Sequence, residues 1–526
     1  MSLRESPSAE DFARTARGRA YKFALCALAL ALAASGAFMV TQSLLLPIVL
    51  LVILLALVTL WRYPGIMLPI VFTAVCLFEL LPTHYADAFT DQIPFFWNIN
   101  TIIQRYAFVL TDQSMFFWNQ RYSLTNFKAV PLNLLEVLLL FSGTSAFLHA
   151  AYTKKVKLQV GPLFWPIFVY ICFVGMGWAN GTLTGGDFKI SLMEVRPQFY
   201  FLLAYLMAFN ILRERRQINT LFWTMALCIG LKGCLYTFRR YVTLGGLPLP
   251  DQGVGSHEEA FLFDTFVVLL IVLSLFQEHK RLRRVMWCLL PLVFMGNLAT
   301  NRRAGTAALV IVVPILFLAA DRALPNARVR IRIIGCILLV LFSGYYQAFK
   351  NSDNAFAQPA RALKSQFAPD ARDLSSNLYR DAENMDLMAT IKLSPVQGYG
   401  YGKHMLHAVE IADISKDYEY WDIMPHNQIL WVWMRVGTLG FAAFWMMVSA
   451  LIIRACQTLR REHADSYIKA VATFSLLVTS MLMIFGLLDL QLVNFRDMLF
   501  TGFWAGAMAA VPRMAADPPA EKEVTP

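Results

Sequence analysis

His426 is the residue of this chain best placed to act as a base. It stands at the end of the longest polar interval, in Met424-Pro425-His426-Asn427, directly before a long apolar run. An unperturbed imidazole titrates near pH ~6.5, so it can take a proton from a hydroxyl, and burial would keep it neutral. The same residues read equally well as a helix start, with Asn427 as the N-cap. Arginines at comparable boundaries are the second chemical signal. Arg196 precedes Pro197 at the mouth of an apolar run, Arg302-Arg303 fills a short turn between two others, and Arg380 lies in the polar interval. Planar guanidinium forks held in place bind phosphate through paired hydrogen bonds. Taken singly, each could snorkel to lipid headgroups instead. Together with His426, the set Arg196, Arg303 and Arg380 reads as an anionic site. Arg435, inside a run, reads as a structural ion pair, with Asp489 its expected partner.

Two further patterns carry less. His404, His407 and Glu410 have i, i+3, i+6 spacing on an expected helix. Without a His-Glu-x-x-His signature this is weak, and no metal site is expected. Gly398-Tyr399-Gly400-Tyr401-Gly402 follows Ser394-Pro395 and lacks the Lys-Ser/Thr of a phosphate loop, so it reads as a tight turn.

The elements that must position these groups are membrane helices. Of 526 residues, 57% are hydrophobic and only 15% charged, where a soluble domain carries about a quarter charged. Apolar runs of roughly 17–22 residues match the hydrocarbon thickness. The expected fold is an all-α polytopic membrane protein of about 12–14 transmembrane helices. A large, mainly helical periplasmic loop is expected before the third-from-last span. Candidate spans cover 21–40, 43–61, 66–82, 131–152, 162–179, 198–212 and 218–238. The rest cover 260–277, 285–300, 304–320, 331–348, 428–453, 469–488 and 497–512. The first is read as an uncleaved span rather than a signal peptide.

With the N-terminus in the cytoplasm, alternation puts the clusters around Lys154, Arg213, Lys280, Arg328 and Arg460 on one side. That is the positive-inside pattern. It accounts for the net charge of +11 without nucleic acid. The opposite face receives 83–130, whose aromatics suit an interfacial helix, and 349–427. All eight cysteines lie in or beside apolar runs, which argues against a disulfide framework. The organisation is an N-terminal bundle over 1–348, a periplasmic loop over 349–427 expected to be catalytic, C-terminal helices over 428–514 and a disordered cytoplasmic tail over 515–526.

An ordered series then resembles the O-antigen ligase/polymerase superfamily of the bacterial envelope. It runs from Glu194-Val195-Arg196-Pro197, opening a span, to Thr300-Asn301-Arg302-Arg303-Ala304-Gly305 between two spans. Arg380 and Ser394-Pro395-x-x-Gly398-x-Gly400-x-Gly402 follow in the outer loop, then His426-Asn427-x-x-Leu430 and Gly437-x-x-Gly440. The series covers roughly residues 190–445. The resemblance implies a metal-independent, inverting glycosyltransferase at the periplasmic face of the inner membrane, needing no cofactor. The donor would be an undecaprenyl-diphosphate-linked glycan. The acceptor would be lipid A-core in a ligase, or another lipid-linked glycan in a polymerase. His426, Arg303 and Arg380 would be catalytic; Arg196, Arg302, Asn427, Gly398 and Gly400 would contact substrate. Arg302 stands where the family often has Ser, which leaves the equivalent arginine open between Arg302 and Arg303. A transporter or flippase for an anionic or lipid-linked solute is the competing class.

Overall fold

The computed structural model describes residues 64–77, 138–144, 159–245, 254–255, 258–352, 354–365, 367–414, 420–461 and 464–514. The expected spans at 21–40 and 43–61, the aromatic segment 83–130 and the tail 515–526 lie outside them, as does most of 131–152.

Every regular element among the described residues is helical. In chain order these are α1 (Pro64–Leu77), α2 (Phe164–Leu183), α3 (Phe188–Ile211), α4 (Arg215–Phe238) and α5 (Glu258–Leu275). There follow α6 (Lys280–Thr300), α7 (Arg303–Ala323), α8 (Arg328–Phe349), and the loop helices α9 (Gln358–Lys364) and α10 (Ala371–Leu393). The chain closes with α11 (Gln428–Leu459), α12 (Ser466–Gly486) and α13 (Phe495–Ala510). Seven of the described helices are long and apolar enough to cross a membrane: α2, α4, α6, α7, α8, α11 and α12. This is an all-α polytopic membrane protein. Three further helices packed among them, α3, α5 and α13, carry buried charge instead: Glu194 and Arg196, Glu258 and Glu259, Arg496 and Asp497.

Local sequence sets where these helices start. Asp187 caps α3, its carboxylate accepting from the Ile190 N–H at 3.0 Å. Glu214 and Gln217 form a reciprocal capping box on α4, and Asp465 caps α12 through Ile468 N–H at 2.9 Å. Each such cap contributes about 1 kcal/mol. The helix expected to open at Glu194-Val195-Arg196-Pro197 begins earlier, at Phe188. Hydropathy cut it short because of Lys189, Glu194 and Arg196, but Glu194 and Arg196 are satisfied inside the protein rather than by water.

The bundle has two chemically distinct ends. At one, Arg215 pairs with Asp465, Ser466 Oγ donates to Phe276 O at 2.7 Å, and Lys469 Nζ donates to Ala323 O at 3.1 Å. The basic clusters at the starts of α4, α6 and α8 and the end of α11 belong to this end. The other end gathers the starts of α3, α5, α7, α11 and α13. There Arg496 joins Glu258 at 3.0 Å and also Glu259, which holds Lys232 as well.

Candidate active site

The site lies where the loop helix α10 meets the start of α11. Glu383, on the buried face of α10, accepts the His426 backbone N–H at 2.9 Å and stands 3.2 Å from His426 Nδ1 through both carboxylate oxygens. Glu383 is almost fully buried and the His426 side chain is 30% exposed. Tyr379, one turn earlier, meets the imidazole edge-on at 6.0 Å. Burial lowers the His426 pKa, but the hydrogen bond and charge of Glu383, helped by Asp489 and opposed by Arg380, raise it above its ordinary value. With Nδ1 facing the carboxylate, Nε2 is the nitrogen left to accept a proton.

Asn427 does cap α11: its Oδ1 accepts from the N–H groups of Ile429 and Leu430 at 3.1 and 3.2 Å. Its Nδ2 also donates to Asn384 Oδ1 on α10 at 2.9 Å. The two readings of this segment therefore describe one arrangement, in which the cap fixes the backbone that carries the histidine.

A cavity of about 290 Å³ opens here, lined by Asn377, Arg380, Asp381, Glu383, Asn384, His426, Asn427, Leu487 and Leu488. Arg380 and His426 thus share a cavity. Arg303 is the first residue of α7 and reaches the same loop helix, its guanidinium donating to Ser376 Oγ at 3.3 Å and to Ser365 Oγ at 3.5 Å. The turn before it is sharp because Asn301 adopts a left-handed conformation, φ 53°, which Asn tolerates. Arg302 takes the N-cap position of α7. Arg196 is buried within α3 over the Phe495 ring, 5.4 Å from its centroid, with Nε on Leu192 O at 3.2 Å. Neither Arg196 nor Arg302 lines the cavity.

Gly398 and Gly400 do not line it either. α11 breaks at Gly437, φ 68° and ψ −179°, and the glycine-rich loop plugs the break. Tyr399 and Gly400 N–H donate to Met434 and Arg435 O at 2.7 and 3.3 Å, and Thr438 N–H to Pro395 O at 2.8 Å. A Cβ on Gly398 would fall 2.5 Å from Gly437 N, and one on Gly400 2.5 Å from Gly181 Cα. These glycines allow close backbone packing.

Arg435 is structural, as expected, but its partner is Glu194 at 2.7 Å rather than Asp489. Its guanidinium also donates to Gly400, Lys403 and Ile423 O, each at 2.8 Å. Glu194 further accepts from Gly402 N–H at 2.6 Å and Trp431 Nε1 at 3.2 Å. This buried hub ties both ends of segment 400–423 to α3, three residues before His426.

The segment carrying His404, His407 and Glu410 is irregular rather than helical. His404 Nδ1 lies 2.6 Å from Asp422, and His407 stacks on Trp421 with its Nδ1 3.5 Å from Asp386. No group of three or more potential ligands among the described residues forms a metal centre.

Residues 288–445 match the family model described as O-antigen ligase. The stretch includes Arg303, Arg380, Glu383, His426 and Arg435, whereas Glu194 and Arg196 precede it. An O-antigen ligase of Salmonella typhimurium strain LT2 is 24% identical over 218 residues, 40% of this chain and 51% of that protein. The chain spans about half the length of the curated relative it matches. Through this region, the chain is similar to the O-antigen ligase/polymerase superfamily.

Proposed function

We propose that this protein transfers a glycan from an undecaprenyl-diphosphate carrier to a sugar hydroxyl, at the periplasmic face of the bacterial inner membrane. The observation that carries the reading is the Glu383–His426 pair on a cavity shared with Arg380. His426 Nε2 takes the proton of the acceptor hydroxyl as its oxygen attacks the anomeric carbon. The anomeric C–O bond breaks, and its electron pair leaves with the diphosphate. Arg380 and Arg303 stabilise that developing charge from fixed positions, which gives the reaction a route without a metal ion. A single in-line displacement inverts the anomeric centre. Glu383 holds the ring and supports the imidazolium as it forms.

Sidedness supports the same reading. Basic clusters mark one end of the bundle as cytoplasmic, and His426, Arg303 and Arg380 belong to the other. A transporter for an anionic or lipid-linked solute is favoured by one observation, the buried Lys232–Glu259–Arg496 network. Transporters place such groups near the midplane on broken helices. Here Glu259 and Arg496 stand at helix starts, at the same end as the cavity.

The test is transfer by purified protein given lipid-linked diphosphate glycan and separate lipid A-core and lipid-linked acceptors, with EDTA present. Transfer that survives EDTA and is lost in His426→Ala and Arg303→Ala supports the reading and identifies ligase or polymerase. Glycan crossing a bilayer without transfer to either acceptor supports the transporter.

A further inference from the structure

We infer that Asn377, Asp381 and Asn384, on one face of α10, form the subsite that holds the acceptor's sugar ring beside His426. The inference rests on the transfer reading above and adds which groups select the acceptor. Positions 377, 381 and 384 have i, i+4, i+7 spacing, so they share a single helix face. All three line the cavity, together with Leu487 and Leu488 from the segment after α12.

The chemistry of Asn377, Asp381 and Asn384 is that of a sugar site. Sugar hydroxyls both donate and accept; amides answer them in both directions, and a carboxylate accepts. The C–H face of a ring is apolar and suits a leucine wall. Asp381 and Glu383 disfavour a diphosphate on their part of the cavity, which leaves the leaving group to the side of Arg380. Asn384 is already aimed: its Oδ1 receives the Asn427 amide at 2.9 Å, which leaves its own NH2 for a ligand. The side chains of Asn377 and Asp381 make no hydrogen bond to other described residues. The volume of about 290 Å³ is near the lower bound of ligand pockets, about 300 Å³, enough to seat one ring. A hydroxyl of a ring seated here is within the same cavity as the imidazole that would deprotonate it.

The experiment uses the full chain in detergent with undecaprenyl-diphosphate-linked glycan as donor. Lipid A-core or a lipid-linked glycan, whichever the unmodified protein uses, is titrated as acceptor. Asn377→Ala, Asp381→Ala and the double variant are compared with the unmodified chain, and folded protein is counted by size-exclusion chromatography. Each single variant is expected to raise the acceptor KM about tenfold, the loss of one hydrogen bond. The double variant should raise it by about the product, with kcat and donor KM within about twofold. Should Asp381→Ala lower the folded yield, Asn377→Ala alone carries the same prediction from an uncharged position. An unmoved acceptor KM overturns the subsite while leaving transfer intact. A raised donor KM overturns it by giving the face to the donor, and a collapsed kcat with both KM values unmoved makes these residues part of the reacting machinery. No transfer by the unmodified chain to either acceptor overturns the parent reading and this one with it.

Discussion

Two pairs built from similar parts sit at the start of α11 and do different work. Glu194–Arg435 and Glu383–His426 each set a buried carboxylate from another helix against a basic side chain. Arg435 and Glu194 are both fully buried, whereas His426 keeps 30% of its side chain exposed against Glu383 at 1%. The arginine is engaged by a carboxylate and three carbonyls and holds the base of the loop. The histidine has a carboxylate on one nitrogen and a cavity beside it. A sealed pair fixes architecture; a pair with one side open is available for chemistry.

The largest expected effect separates the two pairs directly. His426→Ala should lower transfer by about 10²–10⁴-fold, the usual contribution of a general base, while leaving detergent-extracted protein folded and monodisperse. Arg435→Ala should do the reverse in kind. Removing one partner of a buried ion pair costs about 3–5 kcal/mol, read as a lower unfolding temperature and a poor yield of folded protein. If Arg435→Ala were as stable as the unmodified chain, the hub would not be structural. Asn427→Ala sharpens the comparison at smaller scale. It removes the α11 cap and the Asn384 contact, and should cost about 1 kcal/mol in stability and slow transfer by less than the loss of His426.

The sequence made some of this legible and hid the rest for physical reasons. His426, Asn427 and Arg303 were readable because each stands at the boundary of an apolar run, where a polar residue needs a reason. Their placement at the starts of α11 and α7 agrees with that reading. Glu383 was not readable. It is 43 positions from His426 on a helix with several other acids, and only folding selects it over Asp381 or Asp386. Glu194 stands near Arg196 on α3, but no local signal shows that its carboxylate would meet Arg435. The glycines at 398 and 400 read as a tight turn, and only the resemblance gave them substrate contact; what no sequence window shows is the break in α11 that their loop fills. Charges inside α3 concealed its first ten residues from hydropathy, since burial beside partners is not a property of a sequence window.

The measurement closest to the central claim is the pH dependence of transfer by the unmodified chain and by Glu383→Gln. His426 works as a base only when neutral, so activity falls as pH drops through its pKa. Glu383 raises that pKa against the effect of burial. Removing its charge should therefore move the acid limb to lower pH, with a slower plateau because the ring is less well held. An acid limb that stays where it is in Glu383→Gln would show that the Glu383–His426 pair does not govern the reaction.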